Sequence, residues 1–190
     1  MPKPNDRDAR FVDYLRSLAK RDERGALAAL RRGLGKQPGT APETFRYVVP
    51  FTSTLQRAAD ADAYFLVAAL FATHPEATDK GNVGATFAGI RRGRGRAEGD
   101  EADSLEKRFV ALLNAHIDDL PNHLRHAVGL ARSAEVGVNW LQLLADIRWW
   151  SHPDHIVQRE WAREFWGRPT AETAPDEPAG DESEHGTDDN

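Results

Sequence analysis

Residues 61–73 read ADAYFLVAALFAT, and His74-Pro75 follows. After Asp62 no charged residue occurs until Glu76, so a helix here is apolar on every side. A helix without a polar face belongs inside a packed bundle. The His-Pro step stops it, because proline disfavours helical backbone at the residue before it. Asp60-x-Asp62 then reads as the start of this helix.

Outward from this segment the spacing stays helical. Phe11, Leu15 and Leu18 stand at i, i+4, i+7, one face of a helix. A short helix is expected after Asp22, taken as its N-cap, and ends at Gly33. Pro42 suits the first position of a third helix carrying Phe45, Val48 and Val49, which Pro50 ends or kinks. A weaker helix covers 83–92. Residues 93–103, GRGRAEGDEAD, hold three glycines and no large apolar side chain, and read as a linker. Beyond it, Asp103 with Glu106 resembles a capping box for a helix whose inner stripe is Leu105, Phe109, Leu112, Leu113 and His116. Further helices are expected from Pro121 with Leu124, Val128 and Ala131 inward, from 140 to 150 with Asn139 as cap, and from Pro153 with Val157, Trp161 and Phe165 inward, ending at Gly167. No useful stretch alternates with period two. The expected fold is all-α, with two small helical subdomains at 1–92 and 104–167, a linker at 93–103 and a disordered acidic tail at 168–190.

Composition narrows the function. The 190 residues are 40% hydrophobic and 29% charged, with net charge −5. From Thr170 to Asn190 there are eight acidic residues and no Lys or Arg, leaving 25 basic against 22 acidic residues in 1–169, net +3. The body is mildly basic. Cysteine is absent, which excludes disulfides, thiolate metal sites and a cysteine nucleophile. The start of the chain, Met1 to Arg10, is too polar for a signal peptide. The longest apolar run, Ala63 to Ala72, falls short of the roughly 20 residues that span a bilayer. A cytoplasmic protein with no membrane partner is expected.

Basic clusters are the main candidate for chemistry. Arg31, Arg32 and Lys36 surround a Gly-Leu-Gly at a helix end, and Arg91, Arg92, Arg94 and Arg96 fall within six residues interleaved with glycine. Arginine donates bidentate hydrogen bonds to phosphate, and glycine lets the backbone approach. Arg125 and Arg132 share a helix face at i, i+7. Arg159 and Arg163, at i, i+4, repel unless an anion or a glutamate intervenes. For any single arginine a solvated helix surface is the plainer account. His123 with His126 and His152 with His155 have chelating spacing but match no zinc-enzyme motif, and no metal or cofactor is expected. Nucleophile-elbow and phosphate-loop motifs are absent. Five tryptophans crowd 140–166. At least three belong to the core. Trp149 and Trp150, about 100° apart on a helix, cannot both face it, so they are the candidates for a protein interface.

The ordered set of residues resembles a known family. In the second half it runs SLEKRFVALL from Ser104, Leu120 with His123-Leu-Arg125, then Val138, Trp140, Asp146, Trp150, His152-Pro, Val157, Trp161 and Phe165. In the first half it runs Ala29-Leu-Arg-Arg-Gly33, Pro42 with Phe45-Arg-Tyr, and Tyr64, Ala68, Leu70-Phe-Ala72 and His74-Pro75. Over residues 8–167 this is similar to the CasB family, the small subunit of the type I-E CRISPR Cascade surveillance complex. The resemblance implies an all-α, non-enzymatic subunit present as a pair. Its implied neighbours are the CasC-type backbone, the large subunit CasA, the CRISPR RNA and the target DNA strands. It implies sequence-independent binding that helps hold the R-loop, with guide pairing reading sequence and protein reading backbone. Arg31, Arg32 and Lys36 match the family's basic helix end; Arg108, Arg125 and Arg132 are the expected contributors of the second half. The four arginines of 91–96 rest on composition alone. The alternative is a protein–protein adaptor working through the tryptophans; a metal-dependent nuclease is more remote.

Overall fold

The computed structural model describes residues 2–93 and 100–167. Arg94 and Arg96, most of the expected linker and the acidic tail lie outside them. The described chain is all-α, in the order α1 (Asp6–Lys20), α2 (Arg24–Arg31), α3 (Phe45–Thr52), α4 (Ala58–Thr73), α5 (Val83–Gly93), α6 (Asp100–Leu113), α7 (Leu120–Ser133), α8 (Trp140–Arg148) and α9 (Ile156–Trp166), with a 3-10 turn at Pro42–Thr44. Among the described residues no helix is long and apolar enough to cross a membrane.

The segment that is apolar all round becomes the axis of the core. From Ala63 to Ala72 every residue of α4 except Phe65 is buried, with α1, α2, α3, α7 and α8 around it. α1 starts on a capping box: the Asn5 side chain accepts from the Asp8 amide, and the Asp8 carboxylate accepts from the Asn5 amide. It then buries Phe11, Leu15 and Leu18 as their spacing predicts. α5 and α9 cross so closely that a Cβ on Gly84 would lie 1.9 Å from the Trp161 carbonyl oxygen; only glycine allows this approach. One continuous buried cluster draws on helices from both ends of the chain. The segments 74–82 and 136–140 add polar ties: the Trp140 indole donates to the Glu76 carbonyl, Asn139 to Gly81, and Ala77 and Val138 form an isolated parallel bridge.

Several helix boundaries depart from the sequence expectation. Asp22 is not a cap: it adopts a left-handed backbone with φ 51°, binds Arg24 through its carboxylate, and α2 starts without a side-chain cap. α3 runs on through Pro50 to Thr52. Its missing N–H leaves the Arg46 carbonyl without that partner, and the helix stops two residues later. Asp103 lies inside α6, which begins at Asp100, and pairs with Lys107 one turn on. His116 is outside the inner stripe: α6 ends at Leu113, the ring is exposed, and its Nδ1 lies 3.2 Å from Asp118. Pro153 begins a turn rather than α9. The His155 amide bonds the His152 carbonyl, which puts Pro153 at the second turn position, and the helix starts at Ile156.

Candidate nucleic-acid interface

The two halves of the predicted basic surface meet in space. α2 ends at Arg31, and the chain turns through Gly33–Gly39 with Gly35 and Gly39 at φ 73°. This loop lies against the start of α7, where Pro121 and Asn122 line a shared cleft of about 250 Å³. A Cβ on Gly35 would lie 3.4 Å from the Arg125 guanidinium. Arg125 of the second half therefore stands over the Arg31–Lys36 loop of the first. Arg132 follows on the same face of α7, about 10 Å along the helix axis. Arg31, Arg32, Lys36, Arg108, Arg125 and Arg132 are all exposed. None of the six makes an ion pair or a side-chain hydrogen bond among the described residues.

Other arginines are already engaged. Arg91 donates to the Phe165 carbonyl at 2.7 Å, and its guanidinium lies 4.5 Å above the Phe165 ring. It thereby satisfies one carbonyl at the C-terminal end of α9. Arg92, its neighbour, is exposed. Arg163 pairs with Glu160, which supplies the offset that the Arg159–Arg163 spacing requires. Arg148 is 13% exposed and lies 2.7 Å from Asp8, which is fully buried. The Tyr64 hydroxyl donates to the other Asp8 oxygen at 2.5 Å. This knot joins α1, α4 and α8. Sequence reasoning passed over it, because Arg148 looks like an ordinary cation at a helix C-terminus.

The tryptophans separate. Trp140, Trp150 and Trp161 are buried, Trp150 at 2% exposure with its indole donating to the Ala115 carbonyl. Trp150 is thus a core residue of this chain and offers no surface anchor. Trp149 is 46% exposed and stacks on His152 with ring centroids 5.4 Å apart. Trp166 is the other exposed tryptophan; its indole donates to Glu106 at 3.3 Å. Trp161 donates to Asp146, which also accepts from Gln142. Burial raises the Asp146 carboxyl to about 6, against the opposing pull of those two hydrogen bonds. Among the described residues no three His, Asp or Glu side chains converge as a metal site.

Comparison with known proteins places this architecture. Residues 26–166 match the family model of CRISPR-associated protein Cse2. The chain is 38% identical over 165 residues to the CRISPR-associated protein Cse2 of Thermus thermophilus, covering 86% of this chain and 92% of that protein. The crystal structure of CasB from Thermus thermophilus superposes with a TM-score of 0.71 at 34% identity, over 85% of this chain and 98% of the other. A chain of a CRISPR RNA-guided surveillance complex matches with a TM-score of 0.69 at 28% identity, over 84% and 91%. The resemblance read from the sequence holds, and the chain belongs to the Cse2 family of CRISPR-associated proteins.

Proposed function

We propose that the chain is a non-catalytic, nucleic-acid-binding subunit of a CRISPR RNA-guided surveillance complex, and that it helps hold the R-loop through sequence-independent backbone contacts. The observation that carries this reading is the set of exposed cations, without ion-pair partners among the described residues, where the Gly33–Gly39 loop meets α7. A cation unneutralised by its own protein is available to phosphate, and release of counterions from the nucleic acid then drives binding. Arg31, Arg32, Lys36, Arg125 and Arg132 form the core of the contact, with Arg108 and Arg92 as outlying contributors. Target strands, CRISPR RNA, the large and backbone subunits and a second copy are the proposed neighbours.

Binding of the full chain to single-stranded DNA, measured across salt concentrations, tests this. The log–log slope is expected at about −0.7 per phosphate neutralised, equal for unrelated sequences. Replacing Arg31, Arg32 and Lys36 by Ala flattens it by about 0.7 per residue engaged. An unchanged slope and affinity in that variant would overturn the assignment. A second reading, the protein adaptor, rests on exposed Trp149. In that case binding depends weakly on salt, and Trp149→Ala disrupts assembly of the complex while the arginine variants do not.

A further inference from the structure

A second cleft, of about 390 Å³, opens between the start of α4 and the connections α6–α7 and α8–α9. Its walls include Leu66, Ile117 and Ile147, and Asp60, Asp62 and Asp118 stand along it. Asp60 and Asp62 are partly buried, yet among the described residues neither carboxylate accepts a hydrogen bond or meets a cation. Burial alone pushes the Asp62 carboxyl up from its ordinary range. Asp118 lies beside His116. Two cations also line the cleft, but Arg148 is neutralised by Asp8, which leaves Arg57 against three carboxylates. Such a cleft repels phosphate. The Asp-lined apolar shape matches a long side chain with an aliphatic stem and a charged head, the arrangement lysine and arginine adopt when they lie along apolar surface. Trp149 lies in the chain between Arg148 and Ser151, both of which line the cleft. An exposed tryptophan is a frequent anchor of protein interfaces.

We propose that this cleft receives an arginine or lysine side chain of a partner protein, the stem against Leu66, Ile117 and Ile147 and the cationic head at Asp62, one turn before Leu66 on the same face of α4, with Asp60 adding to the negative field of the cleft. The site adjoins the cleft beside the basic loop and shares Gln37, Pro38, Leu66, Asp118 and Pro121 with it, but does not depend on the nucleic-acid reading. It gives the chain a protein-docking surface of its own.

The test uses two peptide probes on the full chain: acetyl-Leu-Arg-Leu amide and the same peptide with citrulline, which keeps the shape and removes the charge. Nuclear magnetic resonance titration is expected to show saturable shifts at Leu66, Ile117 and Ile147 with the arginine peptide and weaker binding of the citrulline peptide. Asp62→Asn is expected to weaken the arginine peptide by about three- to fivefold, the range of a partly exposed ion pair, while Arg31→Ala/Arg32→Ala leaves it unchanged. Asp60→Asn gives the same comparison should the first variant melt without cooperativity. Equal binding of both peptides, an unaffected Asp→Asn variant, or no saturable shift at tens of millimolar peptide overturns the proposal.

Discussion

Arg125 and Arg148 lie on consecutive helices, and the chain uses them in opposite ways. Arg148 is folded inward against Asp8, with Tyr64 and Asn5 completing the hydrogen bonding of that carboxylate. Arg125 reaches outward over Gly35 and meets no acid among the described residues. A buried guanidinium stays charged and so needs a fixed counter-charge to offset its desolvation. An exposed one retains its water and remains available to an external anion. A milder division separates Arg91 from Arg92, both exposed neighbours in one basic run: the first donates to the Phe165 carbonyl at the end of α9, and the second makes no side-chain hydrogen bond or ion pair among the described residues. A count of basic residues therefore overstates a binding surface, and the surface is better read from cations that lack a partner.

The contrast can be broken most severely at the buried knot. Arg148→Met leaves Asp8 buried without its cation and is expected to cost about 3 kcal/mol of unfolding free energy. Adding Asp8→Asn should restore much of it, a coupling that a double-mutant cycle in urea measures. Full loss in the double variant would show that packing, not charge, holds the knot. Arg125→Ala should leave the urea midpoint unchanged.

Asp146 gives a pH-dependent counterpart of about the same size. Its folded-state carboxyl, near 6, lies above the ordinary 3.8 of the unfolded chain. Between these values the folded chain holds the extra proton, so protonation stabilises the fold. That contribution, about 3 kcal/mol, is fully present below pH 4 and is lost as the pH rises through 6. Urea unfolding of the wild type and of Asp146→Asn across pH 4–7 should differ by this slope. Parallel curves would mean the carboxylate is ionised throughout.

Arg91→Ala tests the division inside the basic run. Loss of a charge-assisted bond to the Phe165 carbonyl should cost about 1–2 kcal/mol and leave the salt slope of DNA binding unaltered. Arg92→Ala should do the reverse, with an unchanged melting temperature and a flatter slope. A small effect is expected at Trp149→Ala, which should shift stability by less than about 1 kcal/mol because nearly half the residue already contacts water. A large loss of stability there would assign Trp149 to the core.

Read alone, the sequence determined the all-α class. The run around Tyr64–Phe71 and the stripes of α1, α7 and α9 bury as their periods require, because helical spacing alone sets which residues share a face. It also determined the family, and it located the charged residues from which the candidate interface is drawn. Cap positions were less legible: Asp22, Asp103 and Pro153 each carry a boundary residue's chemistry, but backbone conformation and nearby acids move the boundary by a few residues. Tertiary structure decided which polar groups face inward. Nothing local in α8 distinguishes Arg148 from a surface cation; the distinction comes from Asp8, 140 positions away, brought alongside by the packing of α1 on α8. Trp149 and Trp150 were likewise separated only by the turn that ends α8, which directs one indole to Ala115 and the other to solvent. The cleft at Asp60 and Asp62 exists only because three distant segments converge there. Local spacing is encoded in neighbouring residues, whereas burial, and with it the cost or availability of a charge, depends on which remote segment covers it.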